Sequence, residues 1–378
     1  METIYTNCQV VTRTEIFGGT VVVADGTIRE IDNSCYQGRG AVDLEGDLLL
    51  PGLIEMHTDN LEKNIQPRPG VIWPSIMAAA IAHDAQVAGA GITTVYDAVA
   101  VGGLRESSLR AQIFSDSVDA ICRGRARGIF RADHFLHLRC EVSSSQMERM
   151  LIEHGNRSEV RLISVMDHTP GQRQWTDLCK WRLYHRDKRW TEHEAAAILA
   201  ERIDMQILYG EKHRKIAVAF AHERGIPLAS HDDTTEDDVT YAAEEGIGIA
   251  EFPTTETAAK KARGKGLTTI MGAPNALRGI SHSGNVCATL LAEKGLLNGL
   301  SSDYFPASLL HAAFHLTDTL HIPLYETVAM VSAVIADTVG LSDRGELKPG
   351  KNGDMLQVSL IDSLPLVKKV WRRGVQVG

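Results

Sequence analysis

The chain lacks a CxxC pair. Its six cysteines (Cys8, Cys35, Cys122, Cys140, Cys179 and Cys287) are scattered over 378 residues. That excludes the usual structural zinc patterns, argues against a disulfide framework, and points to free thiols in a reducing, cytoplasmic compartment. A positive excess is also missing. With 39 basic against 48 acidic side chains the net charge is −9, so nonspecific nucleic-acid binding is not expected. An anionic substrate would need a local basic pocket set against the overall field. No apolar run approaches the ~18 residues of a membrane span, and Met1 to Tyr5 has no basic n-region, so neither a membrane partner nor a signal peptide is expected. No GxGxxG follows a first strand, which removes the usual mark of a dinucleotide-binding sheet.

What is present is an ordinary globular composition, 44% hydrophobic and 23% charged, in a length that suits one large domain and a small one. Residues 1–50 read as short strands, with an Asp25-Gly26 hairpin signal between β-rich runs. Residues 345–378 return to that texture. Asp354–Leu360 and Val367–Val377 look like strands, set off by Pro349-Gly350 and Asn352-Gly353. Between them, 51–344 alternates apolar strand-like runs with longer helix-like stretches. The strand ends are Met56-His57, Thr93–Asp97, Phe135–Glu141, Leu162–His168, Pro227–His231, Gly248–Phe252, Thr268–Met271 and Gly299–Asp303. Eight βα units predict an α/β fold: a (β/α)8 TIM-like barrel with a small β-sheet domain formed by both chain ends. A doubly wound sheet is the alternative.

In such a barrel, chemistry gathers at the C-terminal strand ends, and here those ends are ionisable. His57-Thr58-Asp59 closes the run Leu48–Met56. Residues i and i+2 of a strand share a face, so an imidazole and a carboxylate can aim into one small volume, as a divalent ion needs. Phe135, His137, Arg139 and Glu141 share one face while Leu136, Leu138 and Cys140 share the other, which sends the polar set toward the barrel mouth. His168, His231 and Asp303 end further strands. Any one of these alone is an ordinary cap or turn residue. As a set, three histidines and three carboxylates recur at equivalent places without thiolates, the donor types of a two-metal hydrolase.

These residues resemble the amidohydrolase superfamily, whose first-strand motif is similar to Pro51-Gly52-Leu53-Ile54-Glu55-Met56-His57. The superfamily usually has His-x-His there, and this chain has Asp59 at the second position. That departure, with His57-Thr58-Asp59-Asn60-Leu61-Glu62-Lys63, Pro67-Arg68-Pro69-Gly70-Val71 and Trp73-Pro74, resembles one branch, the diphosphatases of the carbon–phosphorus lyase pathway for phosphonate use. Met166–Gln172, Ser230-His231-Asp232-Asp233 and Gly272–Gly279 fit the same branch.

The resemblance implies a metal-dependent hydrolase barrel acting on a small triphosphorylated ribose methylphosphonate, α-D-ribose 1-methylphosphonate 5-triphosphate, with diphosphate and the 5-phosphate as products. It implies one or two divalent ions, Zn²⁺ or Mn²⁺ before Fe²⁺. His57 and Asp59 would hold the first, Glu141 would bridge to a second, and His168 and His231 would bind that second ion. Asp303 would contact the first ion and take the proton of the attacking water. A triphosphate needs cations. Lys63 and Arg68 follow the first strand, and Arg278 sits in the Gly-rich stretch Gly272 to Gly284, with His282 and Asn285 as further substrate contacts or loop anchors. Lys260, Lys261, Arg263 and Lys265 suit a solvated helix end equally well, and Gln172 and Arg173 are weaker candidates. His83, His154, His193 and His222 read as surface or packing residues, His311, His315 and His321 are not spaced as ligands, and the cysteines read as small buried hydrophobes. Two-fold dimers being the commonest assembly, a homodimer is the default expectation. The rival readings are hydrolysis of an N-acyl or cyclic amide, and a metal-free barrel serving as a scaffold.

Overall fold

The computed structural model describes residues 2–103, 109–186, 190–279 and 284–378. Strands β1 (Glu2–Val11), β2 (Ile16–Ala24), β3 (Thr27–Asp32), β4 (Val42–Asp43) and β5 (Leu48–Pro51) come first. Then follow β6 (Leu53–Thr58), β7 (Ile92–Val101), β8 (Asp133–Glu141), β9 (Val160–Met166), β10 (Leu228–His231), β11 (Ile249–Glu251), β12 (Thr268–Gly272) and β13 (Gly299–Ser301). The chain ends with β14 (Met355–Ile361), β15 (Leu364–Arg372) and β16 (Val375–Gln376).

Two sheets result. One runs β16-β15-β14-β5-β1-β2-β3, with β4 on β1, and so combines both chain ends. The other runs β6 through β13 in sequence order, each strand parallel to the next. All eight strand-like runs of the sequence are its strands. The fold is therefore the eight-stranded α/β barrel with a β-sheet unit from the termini. Strands buried on both faces read as near-continuous apolar runs, and every residue of β7 is buried. Along β8 the alternation holds: Leu136, Leu138 and Cys140 join Phe114 and Met147 in a core beneath the helices. On the inner side Tyr96, Phe135, Leu162, Ala229, Ile249 and Ile270 pack the lower barrel, with Ile335 beneath.

The long helix Glu192–Arg224 shows how local chemistry sets an element's ends. Thr191 and Glu194 form a reciprocal capping box, and Gly225 stops the helix at φ +61°. Among the described residues, no helix is long and apolar enough to cross a membrane. The cysteines are not all small buried hydrophobes. Cys8 and Cys140 are buried, but Cys35 and Cys179 are exposed, one between strands and one at a helix start.

Candidate active site

The barrel opens at the C-terminal strand ends into a cavity of about 640 Å³. Its organising group is Glu251 at the end of β11, fully buried. Its two carboxylate oxygens accept from two imidazoles, His57 Nδ1 at 2.9 Å and His231 Nδ1 at 3.1 Å. The rings stack with centroids 5.5 Å apart and 22° between planes. Burial drives both pKa values well below the ordinary histidine value, with Arg139 adding to the depression. Each ring is thus neutral, with its one proton on the Glu251 side and the Nε2 lone pair turned away.

Glu141 does the same for His168. His168 Nδ1 donates to Oε2 at 2.6 Å, and its backbone N–H and the Ser143 hydroxyl donate to Oε1 at 3.2 and 2.8 Å. Burial raises the Glu141 carboxyl, but the His168 ring and these bonds outweigh it, so the net shift is downward. Nε2 of His168 lies 3.7 Å from Asp232 Oδ2, and Nε2 of His231 lies 3.5 Å from the same oxygen. That oxygen is buried and accepts no hydrogen bond. A tetrahedral ion with ligands ~2.0–2.1 Å away holds them about 3.3–3.4 Å apart, close to both separations from the Asp232 oxygen, and ligand atoms of the three residues all lie within 4.8 Å of one another.

His57, Asp59 and Asp303 meet where β6 and β13 join. Asp59 Oδ1 is a second buried oxygen without a hydrogen-bond partner. Burial, then the charge of Asp59, pushes Asp303 up to about 7; burial pushes Asp232 up to about 6. Carboxylates crowded into a dry cavity, with two orphaned oxygens and three free Nε2 atoms beside them, fit a divalent cation.

The structure thus brings together His57, Asp59, Glu141, His168, His231 and Asp303 in one cavity lining. Lys63 and Arg278 also line it. Lys63 Nζ donates to the Tyr304 carbonyl at 2.8 Å and sits 4.3 Å over its ring. Arg68 lies elsewhere, on an exposed turn where it pairs with Val71. His282 lies outside the described residues. Lys260, Lys261, Arg263 and Lys265 end the helix Glu256–Gly264 away from the cavity lining, with Lys261 on Glu236. Arg173 donates to Asp233 at 2.7 Å and to the His231 carbonyl at 3.1 Å. It holds the turn on which Asp232 adopts φ +57°. Gln172 donates to Asp167.

Two residues of this centre were not singled out from the sequence: Glu251 and Asp232. A third, Glu55, sits buried beside the site and accepts from the His57 and Ser302 backbone N–H groups, with burial lifting it to about 8. The available signal was a lone Glu inside the apolar run Leu53–Met56, since a buried carboxylate needs partners. His137, in contrast, spends both ring nitrogens on Met56 O and Ser164 Oγ, at 3.0 and 2.9 Å.

The α-D-ribose 1-methylphosphonate 5-triphosphate diphosphatase of Escherichia coli (strain K12) is 41% identical over 377 residues, 99% of this chain and 100% of that protein. The chain belongs to that diphosphatase family. No family model matches it. Among solved structures, an amidohydrolase superposes with TM-score 0.64 at 14% identity, covering 100% of this chain and 98% of that one. N-isopropylammelide isopropylaminohydrolase from Burkholderia multivorans ATCC 17616 gives 0.66 at 14%, covering 100% and 98%. These likenesses give the diphosphatase family its fold, an amidohydrolase-type barrel, and nothing finer. As a member of the family the chain is a hydrolase.

Proposed function

We propose that this chain hydrolyses α-D-ribose 1-methylphosphonate 5-triphosphate to the 5-phosphate and diphosphate, in the cytoplasm. The observation that carries the reading is the full-length 41% relative. The site supports it: a cavity rimmed by Lys63 and Arg278 suits a polyanion, which a neutral amide would not require.

His57, Asp59, His168, His231, Asp232 and Asp303 would hold one or two divalent ions, with Glu251 and Glu141 orienting the imidazoles. A bound ion would lower the pKa of water toward neutrality and offset phosphoryl charge. Asp303, beside Asp59 in the cavity lining, takes the proton of the attacking water. The water oxygen bonds to the α-phosphorus, the bond from that phosphorus to the α–β bridging oxygen breaks, and diphosphate leaves. Lys63 and Arg278 hold the departing phosphates. The role of Glu141 in this reading is orientation of His168, whose ring and backbone N–H both donate to it.

The test is diphosphate release, followed with a coupled pyrophosphatase, from metal-loaded protein given the ribose triphosphate. Expected is one diphosphate per substrate and no activity after chelation. Turnover of N-acyl or cyclic amides instead, with the triphosphate untouched, would overturn the reading.

A further inference from the structure

Arg139 lies on β8 between His137 and Glu141, and its side chain lines the same cavity as His57, His231, Asp232 and Asp303. The residue is 6% exposed. Its Nε and Nη1 are buried and donate to nothing. Among the described residues it makes no ion pair. The two other arginines buried to this degree behave differently. Arg214 donates to Glu245 at 2.8 Å, and Arg344 donates to Asp133 at 2.9 Å.

A buried guanidinium without a hydrogen-bond partner is costly, by several kcal/mol, and an anion in the cavity that accepts from it would offset that cost. Lys63 and Arg278 are far less buried and can serve the outer phosphates. Arg139 stands deeper, among the groups that would hold the ion and move the proton. Its planar donors suit phosphoryl oxygens.

We propose that Arg139 donates to the non-bridging oxygens of the phosphoryl group under attack, so that the charge gathering on that group is met from within the barrel as well as at its rim. This rests on the diphosphatase reading. Donors fixed where transition-state charge develops are worth about 10²–10³ in rate.

The experiment compares wild type, Arg139→Gln and Arg139→Lys for turnover of the ribose triphosphate, metal content, and calorimetric binding of inorganic phosphate to the metal-loaded protein. Expected for Arg139→Gln is a fall in kcat on the order of 10²–10³, unchanged metal per chain, and phosphate binding at least about tenfold weaker. Arg139→Lys keeps the charge without the planar donors and is expected to lose about tenfold or more in kcat with metal retained; it decides the matter if the glutamine variant does not fold. A kcat within about threefold of wild type in the folded variants, or phosphate affinity unchanged in Arg139→Gln, would overturn the proposal. If wild type releases no diphosphate, the functional reading has failed, and the phosphate titration alone then judges Arg139 as an anion site.

Discussion

The backbone N–H of Asp303 donates to the carbonyl of His57 at 3.1 Å. In return the Asp303 carbonyl accepts from Asp59 N–H at 3.1 Å and from the Thr58 hydroxyl at 2.7 Å. The last barrel strand is therefore joined to the first at the residues assigned to the chemistry. Asp303 adopts φ +54° there, a left-handed conformation that Asp and Asn tolerate better than branched residues.

Asp303→Asn keeps that conformation and those backbone bonds, so the joint survives. The expected result is a kcat lowered by about 10²–10⁴, the range for a lost general base, with metal content and melting temperature near wild type. Full activity in this variant would remove Asp303 from the mechanism.

Glu251→Gln removes an acceptor from two imidazoles at once. One amide oxygen can serve His57 or His231 but not both, and the amide NH₂ opposes the second Nδ1–H. Metal affinity is expected to fall about 10–100-fold, as for other carboxylates behind ligating histidines. Chelator competition measures it.

Asp232 and Glu141 are expected to separate by the same assay. Asp232→Ala deletes the oxygen that faces His168 and His231, so bound metal should drop below detection at micromolar free ion. Glu141→Gln leaves those ligands in place with His168 less well held, for a loss of about 10–100-fold. Equal losses in the two variants would return Glu141 to the role of direct ligand.

Much of this centre is legible in the sequence because strand ends impose a period of two. His57 with Asp59, and His137, Arg139 and Glu141, could be sorted to a face from spacing alone. Glu251 was not legible as an orienting group, since its strand, Ile249–Glu251, is only three residues long and shows no alternation. What makes Glu251 matter is its distance to two imidazoles on other strands, and a linear chain does not carry that. Asp232 stood in the sequence only as part of the run Ser230–Asp233, and it lines the cavity from a backbone of positive φ. Arg68 followed the right strand, but its loop turns outward, a path that Pro67, Pro69 and Gly70 did not disclose.

Outside the site, His134 lies wholly buried between two carboxylates. It donates to Asp97 at 2.8 Å and Asp84 at 3.2 Å, and Asp97 also accepts from His83 at 2.7 Å. Burial pulls the His134 ring down, and Asp97 and Asp84 more than reverse this, giving about 9 against 6.5 for the ordinary residue. A raised pKa stabilises the fold fully below about pH 6.5 and loses that contribution as pH climbs through about 9. The stability gap between wild type and His134→Gln, from urea melts, is therefore expected to be on the order of a few kcal/mol near pH 6 and to shrink toward pH 9.5. A gap that is constant or widens with pH would contradict a charged His134.

In the proposed hydrolysis, water attacks the α-phosphorus and expels diphosphate. The most direct measurement is ³¹P NMR of the ribose triphosphate turned over in H₂¹⁸O by metal-loaded protein. Expected are the isotope-shifted signal in the sugar 5-phosphate, unlabelled diphosphate, and an unchanged phosphonate signal. Label in the diphosphate, or release of single orthophosphates, would contradict it.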